Sequence, residues 1–321
     1  MPRADGDAPP LPASGRRTIA PWLLLVIPPL CWAGNFVVGR AVSADIPPAA
    51  LTFWRWMVAA LVLAPFAVTD AWALRGTLGR LLRRHATLLL LLAATGVVGF
   101  QFFVYQGLKT TTAINGVLII ATIPVAIPAV AFLLDGTRIG LRQALGIAVS
   151  LAGVTIVVLR GDLRLSEDLH FAPGDFWVSL AVPAWAIYTV MLRRRPADLP
   201  PVLLLFASIV AGLLMLLPGY VTEYVHQGGF VPTLSALLAI GYVGVFASVI
   251  AFACWNAGVA QVGAAKAGLF IHLMPVFATL LAIAFLGEQL HLYHLPGIAA
   301  VALGIWLSTT ARPPGSRPTR S

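Results

Sequence analysis

The sequence predicts an all-α polytopic membrane protein, with ten transmembrane helices arranged as two inverted five-helix repeats. Three observations predict this fold class. Of the 321 residues, 59% belong to the set AVILMFWYC and only 10% are charged, and the mean hydropathy is +0.90. Apolar windows recur along the whole chain, and stretches of its first half align with stretches of its second half. No soluble core needs so much apolar surface.

Ten windows, bounded by charges, glycines and prolines, are long enough to cross about 30 Å of hydrocarbon at about 1.5 Å per residue. The predicted spans are residues 20–40, 48–69, 86–107, 113–134, 140–159, 175–192, 201–219, 233–256, 264–286 and 293–310. The first window is longer than a signal-peptide core and lacks a clear cleavage site, so we expect it to be retained. The predicted divisions are an N-terminal tail (1–19), the first repeat (20–159), a non-cytoplasmic linker (160–174), the second repeat (175–310) and a C-terminal tail (311–321).

The positive charges predict the orientation of the chain. If the N-terminus is cytoplasmic, 16 lysines and arginines lie inside, four lie outside, and Arg55 lies within a span. Cytoplasmic loops carry such an excess, so both termini are predicted to be cytoplasmic, and we expect the bacterial cytoplasmic (inner) membrane. The net charge of +9 is explained by these loops, and no nucleic-acid partner is predicted.

An internal repeat links the two halves of the chain at an offset of 151 residues. The stretch "GLKTTTAINGVLIIATIPVAIPAVAF" aligns with "GVAQVGAAKAGLFIHLMPVFATLLAI", which pairs Pro124 with Pro275 and continues into the next span. Earlier in each half, "WAGNFVVGR" and "WAIYTVMLR" pair Trp32 with Trp185 at an offset of 153. Five spans per repeat force the second copy to enter the membrane from the opposite side. Inverted repeats are typical of transporters, with the site between the halves.

The second half also carries a family resemblance. The block "ACWNAGVAQVGAAKAGLFIHLMPVFATLLAIAFLGEQL" contains Trp255, Asn256, Pro275 and Glu288 and resembles the second repeat of EamA-type members of the drug/metabolite transporter superfamily. The resemblance extends over roughly residues 20–310. The first half is similar in "WAGNFVVGR" and "FWRWMVAAL", but Thr137 aligns with Glu288 where the family often has a glutamate, and Asp135 lies two residues earlier.

The resemblance implies a transporter of small metabolites. We expect export of amino acids or related polar or amphipathic compounds by alternating access, with the lipid bilayer and a small-molecule substrate as partners. Efflux of drugs is the alternative within transport, and a non-transporting sensor or scaffold is an alternative of another class. An enzyme is not expected because the His-Glu-x-x-His and Gly-x-Gly-Asp patterns are absent. With two cysteines, Cys31 and Cys254, no cofactor or metal site is predicted.

Three basic residues fall within apolar windows. Arg55 is predicted either to bind a carboxylate-bearing substrate or to pair with carbonyl groups or an acid. Lys266 lies near the end of its span, where it either anchors the helix at the interface or takes part in gating. His272 lies one turn before Pro275 and is predicted to bind substrate, to carry a coupling proton or to bond a carbonyl freed by the proline.

Prolines, amides and aromatic residues complete the candidate pathway. Pro124 and Pro275 each remove one helical hydrogen bond and are predicted to kink the fourth and ninth spans. Polar groups within apolar helices either join helices or line a pathway; those predicted here are Asn35, Gln101, Asn115, Tyr188 and Asn256. Trp32 and Trp185 are predicted either to wall a cavity between the repeats or to pack.

Small residues four apart on the fifth and tenth spans predict a close helix contact. Gly146 and Ser150 lie on one span, and Ala300 and Gly304 lie on the other. Such spacing lets helices approach closely. It fits packing within one chain or the interface of a homodimer.

Overall fold

The computed structural model describes residues 20–42, 45–111, 113–162, 164, 172–286, 289 and 291–310, and in these it is almost entirely helical. The predicted tails, most of the predicted linker and Glu288 lie outside the described residues. The helices of the first repeat are α1 (Pro21–Ala41), α2 (Pro48–Ala73), α3 (Leu78–Arg84), α4 (Ala86–Leu92), α5 (Phe100–Leu108), α6 (Ala113–Ile120), α7 (Ile123–Asp135) and α8 (Leu141–Val158). Those of the second repeat are α9 (Pro173–Met191), α10 (Pro201–Gln227), α11 (Leu234–Gly244), α12 (Ala251–Val262), α13 (Ala264–Gly268), α14 (Leu273–Leu286) and α15 (His294–Thr309).

These helices form ten spans. Eight helical runs in the described chain are long and apolar enough to cross a membrane, and α1 and α15 are the first and tenth spans. The third span is α4 with α5, the fourth α6 with α7, the eighth α11 with α12, and the ninth α13 with α14. Three helices, α2, α10 and α12, run four, eight and six residues further than predicted. In α10 the added residues, Tyr220–Gln227, include several polar side chains, so this helix continues past its apolar window.

Hydrogen bonds at the two ends of the bundle agree with the alternation of the spans. At the end where residues 20 and 310 lie, called the termini side, Arg194 bonds Asp135 at 2.6 Å and Lys266 donates to the carbonyl of Thr309 at 3.1 Å. At the opposite end, called the far side, Glu223 accepts from the amide of Ala50 at 2.8 Å. That carboxylate caps the first turn of α2, where the amides have no partner within the helix.

The helix pairs that pack together reveal a pseudo-twofold relation between the repeats. The pseudo-twofold exchanges the first five spans with the last five, in order. It therefore relates the packing of the third span on the sixth to that of the eighth span on the first. It likewise turns the fourth-on-sixth packing into the ninth-on-first packing. The second and seventh spans pack on each other, as do the fifth and tenth, and each of these pairs maps onto itself. This is the arrangement expected of two inverted repeats.

Two kinds of helix irregularity recur at equivalent places. The fourth span is interrupted between Ile120 and Ile123, just before Pro124, and the ninth is 3₁₀-helical from Leu269 to His272, just before Pro275. A proline cannot supply the amide that the preceding turn needs. The third and eighth spans each contain a π-helical segment, Ala93–Gly99 and Val245–Ile250. Such segments often occur at functional sites, and their wider turns leave carbonyl groups open to side chains of other spans.

Glycines bring the fifth and tenth spans into backbone contact. A Cβ atom at Gly146 would lie 2.6 Å from the carbonyl oxygen of Gly304, and one at Gly153 would lie 2.7 Å from that of Gly297. The reverse contacts are also present, and the pseudo-twofold exchanges the two pairs. The small-residue spacing predicted from the sequence therefore serves packing within the chain. We call this contact the glycine seam.

Candidate functional site

An aromatic cluster lies where the repeats meet. The rings of Trp32 and Trp185, which are repeat equivalents, meet edge to face with centroids 5.0 Å apart. Trp255 and Phe252 from the eighth span pack against both. Because equivalent residues touch each other, the pseudo-twofold axis passes between them. Both tryptophans are buried, so they pack against each other here and do not line the cavity described below.

Trp32 and Trp185 differ in what their indole N–H groups meet. The N–H of Trp32 donates to the carbonyl of Ala247, in the π-helical segment of the eighth span, at 3.1 Å. The N–H of Trp185 is buried and has no partner among the described residues. The two halves of the cluster are therefore not in equivalent states.

Arg55 lies at the centre of a polar network in the far half of the bundle. Its side chain is fully buried, at 0% exposure. Its Nε donates to the hydroxyl of Ser248 at 3.0 Å, and one terminal nitrogen donates to the hydroxyl of Tyr105 at 3.1 Å and to Asn35 Oδ1 at 3.4 Å. The other donates to the carbonyl of Ala247 at 3.3 Å. Every one of these partners is neutral, and no salt bridge to Arg55 occurs within the described residues.

A second polar pair lies in the half toward the termini side. Tyr188 donates its hydroxyl to Asn256 Oδ1 at 2.9 Å. Tyr188 is the repeat equivalent of Asn35, and Asn256 is that of Tyr105, whose hydroxyl donates to Asn35 Oδ1 at 3.4 Å. The same tyrosine–asparagine bond therefore occurs in both halves with the residue types exchanged. The arginine occurs in one half only, because Ser208 takes the place of Arg55 in the seventh span.

His272 lies away from these networks, between the fourth, fifth and ninth spans. It is fully buried; its Nδ1 is 2.6 Å from the hydroxyl of Ser150, and its Nε2 is 2.8 Å from the carbonyl of Ala121. A carbonyl only accepts hydrogen bonds, so Nε2 carries the proton. Ala121 is the repeat equivalent of His272. Its carbonyl is free because the amide of Val125 bonds Thr122 instead. Of the three predicted roles, this geometry provides the bond to a kink carbonyl.

An apolar cavity lies between the first, fourth and ninth spans. Its lining residues are Ala33, Val117, Ile120, Ala121, Ile271, Met274, Pro275 and Ala278. On the fourth span they lie before the interruption or, for Ala121, within it, and on the ninth they include the kink and the turns after it. The cavity therefore extends from the middle of the bundle into its far half. Pro275 lines it, and Pro124 does not.

The equivalent place on the termini side is closed. Gly268 is the repeat equivalent of Val117, and Ile127 is that of Ala278. A Cβ atom at Gly268 would lie 2.7 Å from the Cδ1 of Ile127. Thus the fourth and ninth spans pack tightly toward the termini side, whereas their equivalent positions flank a cavity toward the far side.

The remaining predicted pathway residues lie elsewhere. Lys266 holds the carboxyl end of α15 through Thr309, a position where a cation meets the negative end of a helix. Asn115 donates to the buried carboxylate of Asp175 at 3.0 Å. Gln101 is buried on α5 and is not a partner of Arg55. The structure thus joins Arg55 with Asn35, Tyr188 with Asn256, and Trp32 with Trp185, but it does not gather all ten residues.

The EamA-like transporter family matches residues 20–159 and 172–310. The chain belongs to this family. The two matched segments coincide with the two repeats, and members of this family of the drug/metabolite transporter superfamily are transporters. The fold and the sequence therefore assign the chain to multi-pass integral membrane transporters.

The individual relatives share about a quarter of their aligned residues with this chain. "Uncharacterized transporter YyaM" of Bacillus subtilis is 26% identical over 272 residues, covering 84% of this chain and 87% of that one. A "probable terminal-alkyne amino-acid exporter" of Streptantibioticus cattleyicolor is 26% identical over 285 residues, covering 88% and 91%. One crystal structure superposes with a TM-score of 0.71 at 20% identity, covering 90% of this chain and 96% of the other. That structure supports the fold.

Sequence reasoning missed Tyr105, Ser248 and the carbonyl of Ala247. Tyr105 could have been predicted from the sequence, because the 151-residue offset pairs it with Asn256, which was already a candidate. Ser248 is a polar residue in an apolar span, a weak signal. Ala247 has no polar side chain, and its carbonyl matters only because the helix is π-helical there.

Proposed function

We propose that this transporter exports amino acids or related small polar or amphipathic compounds across the bacterial cytoplasmic membrane by alternating access. The observation that carries the mechanism is the unequal packing of the fourth and ninth spans. Equivalent residues are in contact in the Gly268–Ile127 pair and flank a cavity in the Val117–Ala278 pair. Inverted repeats can exchange such conformations, so the central site opens to one side at a time.

The orientation of this conformation follows from the charges. With both termini cytoplasmic, the arginines of the 193–195 cluster lie inside, and the cavity lies in the half toward the outside. Arg193 and Arg194 pair with Asp135 at 3.7 and 2.6 Å, which ties the cytoplasmic ends of the fourth and sixth spans together. The described conformation is thus one that is closed toward the cytoplasm.

The proposed substrate class has two supports. One relative is named as a probable exporter of terminal-alkyne amino acids. The central region of this chain combines aromatic rings, a buried guanidinium and amide groups, which suit compounds that have both an apolar side chain and polar ends. Drug efflux remains the alternative outcome of the test below.

The test is transport by the purified full-length protein in proteoliposomes. Counterflow of radiolabelled L-leucine, L-methionine and L-phenylalanine is compared with flux of ethidium, a cationic drug, under proton, sodium or no ion gradient. We expect saturable counterflow of amino acids, absent from protein-free liposomes. Transport of ethidium alone would assign the protein to drug efflux. Absence of flux for every compound under every gradient would contradict the proposed function.

A further inference from the structure

We propose that Arg55 binds the carboxylate group of the transported compound. This assignment rests on the proposed function and deepens it, because it specifies a monoanionic carboxylate as the group that the site selects. The argument starts from the charge of Arg55. A guanidinium is protonated under all physiological conditions, and this one has no exposed surface.

The charge is surrounded by dipoles alone. Its partners are two hydroxyls, one amide oxygen and one main-chain carbonyl, and the ring of Trp56 lies 5.4 Å away. A buried cation is stabilised far better by an anion than by neutral groups. Elsewhere the chain does pair arginine with a carboxylate, since Arg194 contacts Asp135 at 2.6 Å.

Two of the four bonds that Arg55 makes, those to Asn35 and to the carbonyl of Ala247, are longer than an ordinary N–H···O bond. The four bonds measure 3.0, 3.4, 3.1 and 3.3 Å, whereas a guanidinium commonly lies about 2.7–2.9 Å from a charged acceptor. An entering carboxylate forms two shorter, parallel bonds to the same fork and displaces the weaker acceptors. The network therefore holds the guanidinium in place while the site is empty and exchanges partners when an anion arrives.

The location of Arg55 fits a transport site. Its partners come from the first, third and eighth spans, so the guanidinium points between helices of both repeats and away from lipid. Tyr105 is only partly buried, unlike Asn35 and Ser248. Its side chain packs at the margin of the core and is therefore freer to move than those of Asn35 and Ser248. The carbonyl of Ala247 connects the arginine to Trp32 in the central aromatic cluster.

The charge count favours a carboxylate over a phosphate. The network contains one cation, and a monoanion neutralises it. A phosphate dianion would leave a negative charge in a low-dielectric region, at a cost that disfavours binding. The repeat equivalent, Ser208, is buried and bonds the carbonyl of Leu204 in its own helix, so the second repeat has no arginine equivalent to Arg55.

The first test needs no variant. Four compounds share one side chain: L-leucine, 4-methylpentanoate without the amine, L-leucinamide without the charge on the carboxyl group, and isopentylamine without the carboxyl group. Each competes with radiolabelled leucine for counterflow in proteoliposomes, and inorganic phosphate is included. We expect leucine and 4-methylpentanoate to compete, and the other three to compete at least about tenfold more weakly, as loss of a charge-assisted bond implies.

The second test uses Arg55→Gln, Arg55→Lys and the control Ser208→Ala. Arg55→Gln should weaken leucine binding about tenfold to a hundredfold, Arg55→Lys should weaken it less, and Ser208→Ala should not change it. If Arg55→Gln does not fold, the assignment is tested by leucine binding to Arg55→Lys and by the competition of the four compounds. Equal competition by leucine and leucinamide, or an unchanged KM in a folded Arg55 variant, would overturn the assignment while leaving transport intact. Absence of all counterflow would refute the proposed function itself, and this assignment with it.

Discussion

His272 shows that the contacts of a single residue depend on more than its position in the sequence. A histidine near the middle of a span suggests a proton carrier. In the structure both ring nitrogens are occupied, by Ser150 and by the carbonyl of Ala121. It joins the fourth, fifth and ninth spans at the point where the fourth is interrupted, and in this conformation it satisfies the carbonyl of Ala121, which the amide of Val125 does not bond.

Replacing His272 by alanine should therefore act mainly on stability. The change leaves a carbonyl and a hydroxyl unpaired in an apolar environment, at a cost of about 2–4 kcal/mol. We expect a lower melting temperature in detergent and an unchanged pH profile of transport between about pH 5 and pH 8. Ser150→Ala, which removes one of the two bonds, should cost less. A normal melting temperature together with a changed pH profile would show instead that His272 titrates during transport.

The sequence left three roles open for His272 because it does not show that the main-chain carbonyl of Ala121 is a hydrogen-bond partner. Its repeat equivalent is an alanine, and an alanine side chain offers no hydrogen bond. The acceptor is the main chain of that alanine, which becomes available only once the fold breaks the helix. For Arg55, by contrast, the sequence already placed a charge in an apolar span, and only the identity of its neutral partners had to come from the structure.

At the level of elements, the glycine seam is a contact that is sensitive to small changes. The helices α8 and α15 approach so closely that a single methyl group at Gly304 would lie 2.5 Å from the carbonyl oxygen of Gly146. Neither backbone can retreat without separating the two spans.

Gly304→Ala should destabilise the protein by about 1–3 kcal/mol through this overlap. Gly241→Ala is the matched control, because nothing lies within 4 Å of a Cβ atom at that position on α11, and alanine favours helix there. Melting temperatures of the two variants, measured by size-exclusion chromatography after heating, should differ clearly. Equal melting temperatures would mean that the spans of the seam are further apart than the structure has them.

The breaks in the fourth and ninth spans could be anticipated from the sequence, and the π-helical segments could not. Proline removes a particular amide, but Pro65, Pro183 and Pro218 lie inside helices that continue. Pro124 and Pro275 are distinguished from these by being repeat equivalents. A π-helical turn has no such residue signature. It is stabilised here by distant donors: Trp56 donates to the carbonyl of Val97, and Trp32 and Arg55 donate to that of Ala247. Those contacts exist only after the spans have packed.

At the scale of the whole molecule, the Val117–Ala278 pair should be more accessible to water-soluble reagents than its equivalent, the Gly268–Ile127 pair. In a background lacking Cys31 and Cys254, single cysteines are placed at Val117, which lines the cavity, and at Ile127, which contacts Gly268. A water-soluble thiol reagent added from outside should modify the first at least about tenfold faster, because the second is reached only in a minor conformation.

Leucine should slow modification at Val117 if it occupies the pathway. Leu295, exposed on α15, provides a cysteine position whose reactivity should not change with leucine. Equal reactivity at Val117 and Ile127, with or without leucine, would contradict the unequal closure of the two sides.

The sequence alone predicts the two inverted repeats, but it does not predict which side of the bundle is closed. The offsets of 151 and 153 residues and the excess of arginine on one side indicate two inverted halves, and the packing of the spans agrees. The same offsets are equally compatible with a cavity on either side, because a symmetric pattern permits both. Which side is closed depends on contacts such as Gly268 with Ile127, which involve two repeats at once.

The mismatch between Arg55 and Ser208 has a thermodynamic consequence. If the two inverted halves were identical, the two conformations would have the same free energy and would be equally populated. Here the hydrogen bonds of Arg55 and Trp32 have no counterpart on Ser208 and Trp185. Each such bond contributes about 1 kcal/mol, and about 1.4 kcal/mol changes a population ratio tenfold. Polar positions such as these, at which the repeats differ, therefore set the resting population of an empty transporter.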